Sequence, residues 1–202
     1  MARIGHERPQ KEIWMTVSDY ADASAQELAD TFAGSPTFVS CHDDSGEVRI
    51  DLALCPDKPG NGFSSLGTVT LADHDIGYGE TRLQIVAVYP ASSDGFSRAI
   101  GSCALWVVNR GWPLRRGAVH PDVMTLYGLS STLEHLLYVL PFSWRHGPHP
   151  LTVGNGTIEW LQAIPISEAE RGYAEANGAD ALEKLLVENN IDVTDFNRAS
   201  LA

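Results

Sequence analysis

The run Thr81 to Tyr89 constrains the fold most, because its second half, Ile85-Val-Ala-Val-Tyr89, is apolar at every position. Successive side chains of a strand point to opposite faces. A strand with no polar face must therefore be covered on both sides, in the middle of a sheet between two layers. Glu134 to Phe142 has the same character. Thr157 to Ile166 places Ile158, Trp160, Ile164 and Ile166 on one face. Glu47 to Leu54 alternates instead: Val48, Ile50, Leu52 and Leu54 on one side, Glu47, Arg49 and Asp51 on the other. That is a half-buried strand. Asp43-Asp-Ser-Gly46 turns it back on the strand Pro36 to His42 as a hairpin. Cys55 to Gly62 reads as a loop, Phe63 to Leu71 as a strand and Asp73 to Gly79 as a turn.

The covering layers are helical. Ser97 to Val108 carries Ile100, Cys103, Ala104, Val107 and Val108 as one stripe, widened by Leu105 and Trp106, and stops at Gly111 before Pro113. An Ala-rich helix is predicted from Tyr20 to Phe32, with Asp19 as its N-cap and its end at Gly34. Trp112 to Pro121 reads as an ordered loop, and Trp144 to Gly156 as a Pro/Gly/His loop. Ser167-Glu-Ala-Glu170 is a capping box, in which the serine caps the first turn and the glutamate reaches back. Its helix runs to about Asn177 and breaks at Asn177-Gly178. Leu182, Leu185 and Leu186 mark a second helix to about Asn190. The class is α+β: a central mixed, largely antiparallel sheet with helices packed on it. Residues 1–35 form an N-terminal segment and helix, and 36–202 the main domain, together one globular unit. The first fifteen residues, Ile13 and Trp14 apart, read as a polar segment, and no apolar stretch follows the positive charges of Met1 to Arg8, so no secretory signal is expected.

With 202 residues and 44% apolar content the chain can bury a full core. No stretch approaches a membrane span. Cys41, Cys55 and Cys103 have no metal-ligand spacing and fit buried, reduced thiols in a cytoplasmic protein. The formal charge of −12 repels phosphate backbones, which argues against nucleic acid. It would attract a basic partner, or serve solubility alone.

Phosphate-loop, dinucleotide, HExxH, CxxC and nucleophile-elbow motifs are absent. Four groups remain. Asp73-His74-Asp75 could hold a metal or a titrating base, yet Asp and His are also ordinary turn residues. His120, His135, His146 and His149 include one local pair, His146-Gly-Pro-His149, without the further ligands a metal needs. Glu168, Glu170, Glu175, Asp180, Glu183 and Glu188 form either a solvated helix face or an acidic docking surface. Glu168 and Glu175 are two turns apart and share a side, whereas Glu170 serves the cap. Trp106, Trp112, Trp144 and Trp160 fit the core, although Trp112 and Trp144, in loops, could be interface anchors.

Several phrases resemble the Suppressor of Fused-like family. They are Val48-Arg-Ile-Asp-Leu-Ala-Leu-Cys-Pro56, Phe63-Ser-Ser-Leu-Gly-Thr-Val-Thr-Leu71, Arg82-Leu-Gln-Ile-Val-Ala-Val-Tyr-Pro90 and Gly117-Ala-Val-His-Pro121. The tail adds Trp160-Leu-Gln-Ala-Ile-Pro-Ile-Ser-Glu-Ala-Glu170 and Gly178-Ala-Asp-Ala-Leu-Glu-Lys-Leu-Leu186. The likeness covers about three-quarters of the chain and rests on core and turn patterns. It implies binding and not catalysis. Animal members hold a transcription factor by sheet augmentation, and bacterial single-domain members resemble immunity proteins that neutralise a cognate toxin. The expectation is a non-enzymatic protein binder without cofactor or metal, its partner a protein, with a basic toxin domain as the candidate. Its contacts are expected at Glu168, Glu175, Asp73, Asp75, Trp112 and Trp144. The alternatives are a metal-dependent hydrolase built on loop His and Asp residues, and a scaffold protein.

Overall fold

The computed structural model describes residues 18–202; the N-terminal stretch with Ile13 and Trp14 lies outside the described residues. Helix α1 (Asp19–Phe32) precedes a four-strand meander, β1 (Thr37–His42), β2 (Arg49–Pro56), β3 (Phe63–Thr68) and β4 (Thr81–Pro90). Helix α2 (Phe96–Arg110), β5 (Val119–His120), the short helix α3 (Val123–Leu126) and β6 (His135–Val139) follow. The chain continues through the hairpin β7 (Leu151–Val153) and β8 (Gly156–Ile166) to α4 (Glu168–Asn177) and α5 (Ala179–Glu188). Among the described residues one eight-stranded sheet runs β1-β2-β3-β4-β8-β6-β5, with β7 also on β8. Its pairings are antiparallel except β4 with β8. This is the expected α+β mixed sheet.

The doubly apolar strand does lie between two layers. Ile85, Ala87 and Tyr89 of β4 join Ile100, Cys103, Ala104 and Val107 of α2 in one core. Val86 and Val88 point the other way, into a second core with Leu28 and Phe32 of α1. On β8, Leu161 and Ala163 go to the α2 side, while Ile164 and Ile166 pack with Leu182 and Leu186 of α5. One layer is thus α2, and the other is α1 beside the α4–α5 pair. Two glycines set the approach. A Cβ at Gly67 of β3 would meet Leu28 Cδ2 at 2.5 Å, and one at Gly101 of α2 would collide with Cys41 Sγ. All three cysteines are free and buried.

Boundaries differ where side chains intercept the ladder. Ser18, not Asp19, caps α1, its hydroxyl accepting from the Ala21 N–H at 3.0 Å. The helix closes on Ala33 in the left-handed region (φ 49°) and not at Gly34. Strand β2 continues through Cys55 and Pro56, opposite Ser65 and Ser64. Strand β3 stops at Thr68, whose hydroxyl accepts from the Ile85 N–H, and Leu71–Asp73 form a 3-10 turn. Strand β6 stops at Val139. Pro141 has no N–H to give, and the N–H groups of Phe142 and Ser143 donate to Gln162 Oε1 at 3.0 and 3.3 Å. The loop read over 144–156 contains β7, and the one over 112–121 contains β5.

Candidate interaction surface

The capping box predicted at the sheet exit forms as written. Ser167 Oγ accepts from the Glu170 N–H at 3.1 Å, and Glu170 Oε2 accepts from the Ser167 N–H at 3.0 Å. Glu170 does more than cap. Its carboxylate is fully buried and receives a two-pronged contact from Arg198, at 2.6 and 2.9 Å, and the Leu201 N–H at 3.1 Å. Arg198 Nη2 also donates to the Pro165 carbonyl. Burial alone would push the Glu170 carboxyl up; the Arg198 and backbone hydrogen bonds outweigh it and hold it below its ordinary range. The first turn of α4 is therefore a clasp holding the tail against β8.

Glu168 and Glu175 do share a side of α4, but Arg171 lies between them. It bonds Glu168 Oε1 at 2.5 Å and also Glu175. Glu168 Oε2 is 2.7 Å from His135 Nε2. The Asp122 N–H donates to His135 Nδ1, so the ring's own proton sits on Nε2 and points at Glu168. Hydrogen bonds from Arg171 and then His135 pull the Glu168 carboxyl down to about 2. Two carboxylates around one guanidinium present far less field than two free ones.

Asp73, His74 and Asp75 do not converge. Asp73 accepts from the Ser18 hydroxyl at the foot of α1. Asp75 caps the Gly77 N–H at 3.0 Å and lies 3.6 Å from Arg82, which also donates to the His74 carbonyl. The histidines are equally dispersed. His120 pairs with Leu136, while His135 precedes it, so the two lie on opposite faces. His120 is buried against Trp112, Trp106 and Tyr138, and burial pulls its pKa down to about 4. His149 gives its backbone N–H to Glu27 and its carbonyl to Trp160 Nε1. Among the described residues no three His, Cys, Asp or Glu could hold a metal ion. The hydrolase reading is thus not supported: its residues serve turns, caps and core.

The two loop tryptophans part company. Trp144 is only 7% exposed, stacks on Phe32 and donates from Nε1 to Ser65 Oγ at 2.9 Å, so it is a core residue. Trp112 is partly buried over Trp106 and His120, at 5.6 and 4.9 Å between ring centroids.

A surface not singled out in the sequence opens beside α5. Val139, Phe142, Ile164, Leu186, Val187 and Ile191 line a cleft of about 250 Å³, with Glu183 and Asn190 at its rim. Phe142 is 57% exposed and Val187 78%; Leu140, next to the cleft in sequence, is 57% exposed. The signals were there. Pro141 stands just before Phe142, where a strand cannot continue its ladder, and Val187 makes the apolar stripe of α5 wider than the sheet covers. Among the described residues no helix is long and apolar enough to cross a membrane.

Comparison with known proteins names the fold. The family model for Suppressor of fused protein (SUFU) matches residues 46–199, and the chain belongs to that family. It is 31% identical over 191 residues to Immunity protein YqcF of Bacillus subtilis (strain 168), covering 93% of this chain and all of that one. A SUFU homologue from Neisseria gonorrhoeae FA 1090 superposes with a TM-score of 0.66 at 16% identity, over 91% of this chain and 97% of the other. A chain of the Sufu–Fu complex gives 0.65 at 12% identity, over 89% and 91%. Drosophila Suppressor of Fused gives 0.61 at 13% identity, over 87% of this chain and half of that one.

Proposed function

We propose that this chain is a non-enzymatic, immunity-type protein that neutralises a cognate toxin domain by binding it. The observation that carries the reading is the end-to-end match at 31% identity to a protein named for immunity. A family fold found also in a complex with a protein partner supports binding as the mode. The charge of −12 favours a basic toxin domain by steering its approach. The free buried thiols fit action in the reducing cytoplasm. Glu168, Glu175, Asp73, Asp75 and Trp112 remain proposed contacts, with their ion pairs and packing as described.

The test is co-expression with the C-terminal domain of a toxin encoded beside the chain. Growth rescue and co-purification are the expected outcome. A toxic domain that this chain neither rescues nor retains would overturn the reading.

A further inference from the structure

We infer that the cleft between α5 and the end of β6 seats a basic polypeptide segment that inserts one large apolar side chain beside Phe142 and Val187. This rests on the binding reading above and assigns it a place.

Three observations converge. First, the apolar groups are held ready. The backbone N–H groups of Phe142 and Ser143 are pinned by Gln162, whose side chain is buried and whose Nε2 donates to Ser143 Oγ at 2.6 Å. Phe142 is thus exposed on a fixed backbone, which lowers the ordering cost of an interface. Val187 stands one turn of α5 beyond Glu183 and beside Leu186, and Asn190, just past the helix end, also lines the cleft.

Second, the size fits a side chain better than a metabolite. The cleft of about 250 Å³ is below the roughly 300–1,000 Å³ of small-molecule sites. Its polar groups do not converge: Glu183 is occupied by Arg116 at 2.8 and 3.1 Å, leaving Asn190 at the rim. An aromatic or aliphatic anchor in an apolar pocket is the usual centre of a protein interface.

Third, the charge selects the occupant. On the α4–α5 side, with buried Glu170 cancelled by Arg198, Glu168, Glu175, Asp180, Glu183, Glu188, Asp192 and Asp195 stand against Arg171, Lys184 and Arg116, a net −4. Internal pairing lowers the local field of α4, yet the α4–α5 face stays negative. A second copy of this chain would bring two such faces together, against like-charge repulsion. A basic segment meets the opposite sign.

The experiment uses the full chain and a short amphipathic peptide with lysines on its polar face and one central tryptophan. Its Lys→Glu and Trp→Ser counterparts serve as controls. Amide chemical-shift mapping and calorimetry are the readouts. The expected result is binding of the lysine–tryptophan peptide with amide shifts at Leu140, Phe142, Ser143 and 183–193. Each control peptide should bind at least about tenfold more weakly, as should wild-type peptide to Val187→Asp or Phe142→Ser. Val187 is too exposed for its substitution to disturb folding.

No binding, shifts on another face, or equal binding of the Lys→Glu peptide would overturn the inference. So would a concentration-dependent dimer that shifts the same residues. Rescue of a co-expressed toxin by Val187→Asp at wild-type level would remove the cleft while leaving the immunity reading standing. Failure of the wild type to rescue would remove that reading, and the peptide result would still report on the cleft.

Discussion

Helices α4 and α5 are neighbours of equal length, and they use their surfaces in opposite ways. The first turn of α4 is strongly charged, and its charge is spent inside the molecule: Glu170 on Arg198, and Glu168 on Arg171 and His135. α5 turns Val187 toward solvent beside Phe142. An acidic residue on α4 is therefore a poorer guide to a docking site than an apolar one on α5. Charge is conspicuous in a sequence, but its partner decides whether it is available.

The contrast breaks most visibly at Arg198. Arg198→Met leaves the Glu170 carboxylate buried without its counter-ion and should cost about 3–5 kcal/mol in urea unfolding. Val187→Asp should leave the same midpoint within about 0.5 kcal/mol. Equal losses would erase the distinction between clasp and display.

The clasp also predicts a pH response. The folded Glu170 pKa lies below its ordinary value, so its stabilisation is complete above the ordinary glutamate range, about 4.3. It is lost as pH falls through the lower, folded value. In Arg198→Met the uncompensated carboxylate prefers its proton, so this loss on acidification should vanish or reverse. Unfolding titrations across that range would show it.

Ser167→Ala should be milder, about 1 kcal/mol for a lost N-cap. A small stability effect also belongs to Glu168→Gln with Glu175→Gln, where exposed carboxylates lose their pairing with Arg171 and, for Glu168, with His135. If α4 steers a partner at all, that double variant slows association at low salt, and about 0.5 M salt mimics it by shortening the Debye length to a few ångströms. Stopped-flow rates indifferent to both would leave α4 as clasp alone.

Local patterns were legible where one residue's environment is set by its near neighbours. The capping box, the break at Gly178, the half-buried alternation of β2 and the doubly covered β4 all fall in this group. The site was less legible because its logic is long-range. Glu170 finds Arg198, Trp144 finds Ser65, and Gln162 holds Phe142, each across a stretch that no periodicity reports. Trp144 stood in a Pro/Gly-rich loop and is core, because that loop folds back over α1's side of the sheet. Phe142 read as strand and is surface, because the ladder ends at Val139, ahead of Pro141.

The parallel pair β4–β8 has a kinetic consequence. The meander β1 to β4 joins strands adjacent in the chain, whereas Thr81 of β4 meets Thr157 of β8 across more than a third of the sequence. Closing that junction orders a long intervening segment before its contacts repay the loss, and such non-local pairings slow folding. The meander is expected to assemble early and the β4–β8 seam late. A core truncation on the β8 side of the seam, such as Leu161→Ala opposite Ile85, should then mainly speed unfolding, while Leu52→Ala in the meander should mainly slow refolding.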